Sequence, residues 1–473
     1  MGGQCRIDQN PRHLRQFDHG TATNPAASKL RKVFSFSKKK TFLPLAFTCS
    51  IAAMQREKLI FCGTSDLAGH LRGKAFPAAD WDARAVRGMG MPPANIMLSA
   101  FGPIFAAPFG TAGDVALMPD PSTRVDLSFG DDDVGESFVL ADIMADDGSY
   151  WECCPRHFLR RALNGLKSEA GVTLLAAFEQ EFYARALMSE GPGSFRLASA
   201  RHSGLLGEAL LGALRGAGLV PDSFVPEYAP GQFEVTVAPA AGLRAADEAV
   251  MAREMIRAVG ARLGQQVTLA PLLTPDGVGS GTHIHISFLA EDGSPALHEA
   301  DAAGELSPLG RWFVAGIAHH LPEIAALTAP SAASYLRLRP NKWAPTSADV
   351  AERDRGAAIR LCTSLSSDPQ ARARQFNVEF RVCDATSSPY MALGAVLHAG
   401  LEGIRRRLDL GGQAPPLPPD LGAALDLLRD SQASRHWMGP LLHDIYLQAK
   451  RAELAALDGL SPQEVCDRYV AAY

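Results

Sequence analysis

At 473 residues, with 47% apolar and 21% charged side chains, the chain has the make-up of an ordinary soluble protein with room for two or three domains. A formal net charge of −5 argues against a nucleic-acid partner. Its eight cysteines are scattered and hold no Cys-x-x-Cys pair, which speaks against a zinc site or a disulfide scaffold and fits a reducing, cytoplasmic setting.

Residues 1–53 stand apart, with nine Lys/Arg against two Asp, so that the remainder of the chain is net acidic. Lys38-Lys39-Lys40 precedes an apolar run over residues 41–53, which is too short to span a bilayer. A secretory leader has its basic stretch at the start, whereas this one lies some forty residues in. A signal peptide is the alternative; the favoured reading is a basic, disordered extension outside the fold that arises from the choice of start codon, with folding beginning near Met54 and no membrane contact.

From Met54 the pattern is mixed. Residues 58–62 read as a strand ending at Gly63, residues 102–113 as a Gly/Pro/Phe-rich loop, and residues 115–129 and 137–143 as short strands. These strands are broken by Pro119-Asp120-Pro121 and by the turn Asp131-Asp132-Asp133. Cys154-Pro155-Arg156 opens a helix and marks a domain boundary, giving an N-terminal domain over 54–153 and a larger one over 154–473. Met251, Met255, Val259 and Leu263 form a helical apolar stripe, and Leu393, Leu397, Leu401 and Ile404 form another, in which Gly394, Gly400 and Gly403 permit close packing. Ser461-Pro-Gln-Glu464 is a helix start with a capping box.

Four short segments carry chemistry. Glu179 and Glu181 close an apolar run and, on a strand, share one face. His283, His285 and Ser287 do the same after Gly279-Ser280-Gly281, and so do Asn377, Glu379 and Arg381. Between Glu227 and Glu234 a Pro230-Gly231 bend can bring two carboxylates together. Taken singly, these patterns also suit solvent-facing polar stripes or hydrogen-bonded core histidines. Pooled on one face they put five glutamates together, and two carboxylates ~4 Å apart repel by about 4 kcal/mol at an effective dielectric near 20. Bound cations resolve such repulsion, and an oxygen-rich set favours Mg²⁺ or Mn²⁺ over zinc. With Arg337, Arg339, Arg353, Arg355, Arg360 and Arg381 in the same half of the chain, a two-metal site for phosphoryl transfer is expected.

These motifs, taken with Tyr335-Leu-Arg337-Leu, Arg355-x4-Arg360 and Ser388-Pro-Tyr390, and in this order, resemble the glutamine synthetase catalytic domain. The resemblance covers roughly residues 58–473. It implies an α+β chain, with a small N-terminal β-grasp domain before a catalytic domain of curved antiparallel sheet and helices. It also implies a homo-oligomer of stacked rings with shared active sites, two or more Mg²⁺ or Mn²⁺ per site, and ATP and glutamate as substrates. By this likeness Glu181, Glu227 and Glu234 match the ligands of one metal, and Glu179, His283 and Glu379 those of a second. His285 and Ser287 match ATP-side positions, and Arg355 and Arg360 match phosphate-binding arginines. Arg337 matches the grip on the glutamate carboxylate, Gly279 the loop beside its amino group, and Arg381 the arginine near the transferring phosphoryl group.

The departures concern the nitrogen acceptor. Residues 99–110 lack the aspartate that the family places in its ammonium pocket, and Trp343 stands where its flap glutamate is expected. Val278 and Asn377 also differ from common family residues, and no adenylylation-type tyrosine segment is found. Apolar surface in place of carboxylates favours an organic amine over ammonia, and an indole can hold an alkylammonium by cation–π contact. These features resemble the γ-glutamyl-amine, polyamine-type ligases. Glutamine synthetase proper and a non-catalytic family member are the alternatives. Because an alkylammonium must lose a proton before it attacks, a substitute base is expected at Asp349, Glu352 or Asp354.

Overall fold

The computed structural model describes residues 56–473 apart from 107, 112, 131–133 and 189–192, so the extension read over residues 1–53 lies outside it. The first strands are β1 (Leu59–Ser65), β2 (Leu71–Pro77), β3 (Met89–Met91), β4 (Val115–Pro119), β5 (Val125–Leu127) and β6 (Glu136–Met144). They form one sheet in the order β2-β1-β6-β4-β3, with β5 also on β6 and β1 parallel to β6. β1 runs on through Gly63, where a Cβ would sit 2.6 Å from the Arg72 carbonyl of β2; glycine lets the hairpin close there.

Helix α1 (Pro155–Ala170) begins with proline at its first turn, as the sequence implies. Next come β7 (Thr173–Phe178), β8 (Gln180–Ala184), β9 (Pro221–Pro226), β10 (Gln232–Val237) and β11 (Ala240–Ala241), followed by α2 (Arg244–Arg262), β12 (Val267–Thr268) and β13 (Ile284–Leu289). The chain continues through α3 (Pro308–Thr328), α4 (Ala332–Arg337), β14 (Val350–Glu352), β15 (Ile359–Cys362), β16 (Asn377–Phe380), α5 (Pro389–Arg406) and α6 (Pro462–Ala472). Two further sheets result, β12-β8-β10-β9 and β11-β7-β13-β16-β15-β14, so the chain is α+β. The apolar stripes lie where their period puts them: Met251, Met255 and Val259 are buried on α2, and Leu393, Leu397 and Leu401 on α5. A Cβ at Gly403 would lie 2.1 Å from the Trp312 carbonyl, so only glycine lets α5 approach α3 this closely. At α6 both halves of the Ser461/Glu464 capping box are made.

One expectation is corrected. The run through Glu179 and Glu181 is not a single strand: β7 ends at Phe178 in one sheet and β8 starts at Gln180 in another. Glu179 is the crossing point. Its N–H donates to the His283 carbonyl (3.0 Å), and that of Glu181 donates to Gly281 (3.3 Å), so residues 281–283 seam the two sheets together.

Candidate active site

Sheet register brings residues far apart in sequence together. β8 and β10 pair with Glu181 facing Glu234. β16 pairs with β13 and β15 so that Glu379 has His285 on one side and Arg360 on the other. Direct cross-strand neighbours have Cβ atoms about 4.5–5.5 Å apart, so the ladder itself forces the acidic groups together. Glu227 joins from the other arm of the β9–β10 hairpin, its N–H donating to the Gln232 carbonyl (2.9 Å).

The result is a cleft of about 730 Å³ lined by Glu179, Glu181, Glu227, Glu234, His283, Gly279, Arg337, Arg355, Arg360, Arg381 and Trp343 among others. Glu379 is 1% exposed and lies beneath this surface, with Arg360 Nε 2.6 Å from one carboxylate oxygen and Arg381 paired to the other. His283 Nδ1 is 3.1 Å from Glu179 and 3.5 Å from Glu379, while its Nε2 is 3.8 Å from Glu181. His285 backs Glu179 from behind (Nε2 to Oε1, 2.9 Å) and is itself held by Asn377 (2.8 Å). Ser287 is turned to the Phe376 carbonyl (2.7 Å), and neither it nor His285 lines the cleft. Arg337 is buried and donates to the Val382 and Cys383 carbonyls, and a Cβ at residue 279 would lie 2.5 Å from its Cγ, so Gly279 gives the arginine room.

Two sets of side chains could hold a cation. Ligand atoms of Glu179, His283 and Glu379 lie within 4.8 Å of one another, as do those of Glu181, Glu234 and His283. Glu227 lines the same cleft outside the second set, which differs from the grouping the family likeness suggested. Carboxylate oxygens with one imidazole suit Mg²⁺ or Mn²⁺, and a carboxylate has about four lone-pair sites, so Glu379 can serve two arginines and still reach a metal. The protonation pattern also fits a cation. Burial, then repulsion from Glu179, Glu181 and Glu227, pushes the Glu234 carboxyl up to about 9. Burial and Glu181 push Glu227 up to about 7. Burial would also raise Glu179, but hydrogen bonds from His283 and His285 outweigh it and hold the carboxyl well below its usual range.

The rim was less legible than the floor. Trp343 lies tilted against Tyr228 with ring centroids 5.6 Å apart, and Tyr228 meets Phe195 edge-on at 5.1 Å; all three are more than half exposed and line the cleft. Trp343 and Phe195 hold φ of 53° and 55°, and Asn341 holds 65°. For bulky side chains this left-handed backbone costs roughly 1–2 kcal/mol per residue. Tyr228 follows Glu227 directly, a signal present in the sequence, whereas nothing marked Phe195. Asp276 and Lys342 also line the cleft.

Asp349, Glu352 and Asp354, the expected substitute bases, do not line it. Asp349 faces Ser347 (3.2 Å), Glu352 lies on the edge strand β14 beside Arg353 (3.7 Å), and Asp354 caps the Gly356 N–H (2.8 Å). The local turn and sheet edge take up these carboxylates.

Comparison with known proteins places this architecture. The glutamine synthetase catalytic-domain model matches residues 152–468, and the glutamine synthetase N-terminal-domain model residues 47–151. The chain belongs to the glutamine synthetase family and is an ATP-dependent ligase. It is 32% identical over 431 residues to the gamma-glutamylpolyamine synthetase GlnA3 of Streptomyces coelicolor, covering 85% of this chain and 91% of that protein. A gamma-glutamylanilide synthase of an Acinetobacter species is 27% identical over 447 residues, with 84% and 87% covered. A solved structure of a novel glutamine synthase homolog superposes with a TM-score of 0.85 at 40% identity, covering 89% of this chain and 99% of that one. Among the described residues no helix is long and apolar enough to cross a membrane.

Proposed function

We propose that this ligase joins the γ-carboxylate of glutamate to an organic amine, with ATP converted to ADP and phosphate. The observation that carries the reading is Trp343, a residue 67% exposed on the cleft where the family likeness calls for a carboxylate. Relatives named for polyamine and anilide acceptors support it.

In this reading Arg337, beside Gly279, grips the glutamate, with its buried guanidinium held by backbone carbonyls so that little order is lost on binding. Glu179, His283 and Glu379 would hold one divalent cation, and Glu181 and Glu234, with Glu227 nearby, a second. When bound, such cations neutralise charge on the polyphosphate and the attacking carboxylate. Arg355 and Arg360 face the nucleotide phosphates, with His285 and Ser287 bracing that side. Arg381 faces the phosphoryl group in transit. A γ-carboxylate oxygen attacks the terminal phosphorus of ATP, the bond to ADP breaks, and γ-glutamyl phosphate forms. A deprotonated amine then attacks the acyl carbon, and phosphate leaves as the amide forms. The guanidinium groups serve catalysis by meeting the charge that builds up in both steps.

The same reading divides the chain into an N-terminal domain over 54–153 and a catalytic domain over 154–473. It also makes the protein a cytoplasmic homo-oligomer with shared sites. The test is phosphate release with glutamate, ATP and a panel of ammonia, alkylamines, polyamines and aniline. Faster turnover with an organic amine than with ammonia at equal concentration is expected. A clear preference for ammonia would leave glutamine synthetase proper, and no release with any acceptor would leave a structural role.

A further inference from the structure

The amine reading leaves open what binds the acceptor's charge. Of the groups around the cleft, Arg337, Arg355, Arg360, Arg381 and Lys342 repel a cation. The glutamates of the floor belong to the cation sets, with Glu227 beside them. One further carboxylate lines the cleft. Asp276 is exposed and, among the described residues, has no hydrogen-bond or ion-pair partner.

Its position is fixed by its neighbours. The loop folds back through Gly277 N–H to the Thr274 carbonyl (3.0 Å), and Tyr183 donates to the Val278 carbonyl (2.7 Å). Lys342 Nζ donates to the Gly277 carbonyl (2.8 Å), which ties the segment carrying Trp343 to the residue next to Asp276. Beyond Trp343 the rim continues through Tyr228 to Phe195. Phe195 is pinned there by its N–H to the Pro226 carbonyl (3.4 Å), and Ser194 by its hydroxyl to the Tyr228 carbonyl (3.0 Å). A carboxylate and three aromatic rings thus line the same cleft, on loops tied to one another by these bonds. Two of the rings hold strained backbone, which is retained where surrounding structure enforces it and is concentrated at binding sites.

Resting on the amine-ligase reading, we propose that Asp276 and the rings of Phe195, Tyr228 and Trp343 form the acceptor subsite. Asp276 pairs with the alkylammonium and so replaces the carboxylate absent from the flap position. The rings take the alkyl body and the rest of the charge by apolar and cation–π contact. A charge-assisted hydrogen bond of this kind is the strong class.

Steady-state kinetics of the full chain with glutamate, Mg-ATP and butylamine test this. Asp276→Asn is expected to raise the KM for butylamine about tenfold or more, with the KM values for glutamate and ATP unchanged, and Asp276→Glu to recover part of the loss. Phe195→Ala is expected to raise the KM for butylamine several-fold while leaving that for ammonia in place. An unchanged butylamine KM in Asp276→Asn would overturn the subsite and leave the amine ligase standing. A rise shared equally by all three substrates would also overturn it, since that is loss of loop structure. Failure of the wild-type chain to use any amine would overturn both.

Discussion

Two buried charge clusters in this protein were built by opposite rules. At the first turn of α1, Arg156 is 1% exposed and donates to Asp247 (3.0 and 2.9 Å), Asp142 (3.0 Å) and Asp120 (2.7 Å). Tyr390 adds a hydrogen bond to Asp247 (2.7 Å), and Arg160 one to Asp142 (2.8 Å). All three carboxylates there take arginine donors; at Asp142 burial still outweighs Arg156 and Arg160 and raises the carboxyl, and its second oxygen has no partner among the described residues. Burial alone would raise Asp120, yet its bonds to Arg156 and Ser122 bring it below its ordinary value. In the cleft the acids crowd one another, and Glu227 and Glu234 are raised by burial and by other glutamates. A closed cluster clamps β6, α1, α2 and α5 into one body; an acid-rich cluster open to a cleft is suited to taking a cation. Burial of charge alone therefore says nothing about function. What separates the two is whether the charges are matched within the fold.

The comparison can be broken most severely at Arg156. Arg156→Ala leaves three carboxylates without their shared guanidinium and is expected to cost about 3–5 kcal/mol of stability. Urea denaturation checks this, and a loss below 1 kcal/mol would show that the cluster is not a clamp. Next in size, Glu181→Ala is expected to lower ATP turnover by about 10²-fold or more and to weaken Mg²⁺ binding measured by calorimetry, with the melting temperature nearly kept. Unchanged activity at saturating metal would put the site elsewhere.

A smaller effect sharpens the contrast through pH. Glu227 and Glu234 have folded pKa values raised above the unfolded carboxyl value. Their contribution to stability is therefore fully present below that value and is lost as pH rises through about 7 and about 9. Metal-depleted protein should melt at progressively lower temperature from pH 5 to pH 9, and added Mg²⁺ should restore more at pH 8 than at pH 6. Equal Mg²⁺ stabilisation at both pH values would count against these two acids as the groups the cation relieves. The smallest expected change is at the rim: Trp343→Glu should shift relative turnover towards ammonia, by about tenfold at most on the scale of a cation–π contact. No shift in the ammonia-to-alkylamine ratio would remove Trp343 from acceptor selection.

How much was legible follows from the kind of signal each residue left. The alternation of Glu179, Glu181, His283 and Glu379 with apolar residues marked one polar face; the cleft is lined by the first three, and Glu379 lies beneath them. The break at Glu179 left no mark, because a chain crossing between two sheets keeps the same two-residue period on both sides. Asp349, Glu352 and Asp354 were plausible by nearness in sequence to Trp343, but β14 and its turn draw them away. Phe195 and Asp276 reach the rim through backbone bonds to Pro226 and around Gly277, which no local pattern encodes.

The sequence by itself determined the mixture of helices and strands, the apolar stripes of α2 and α5, the capping of α6 and the identity of the acidic and basic groups, because period, caps and side-chain chemistry are local properties. Only the tertiary structure decided which carboxylates oppose one another, which arginines are buried against Glu379, and which loops meet at the rim. Those depend on strand register and on contacts between residues up to a hundred or more positions apart, and a one-residue slip of any ladder would have turned the same side chains to the other face.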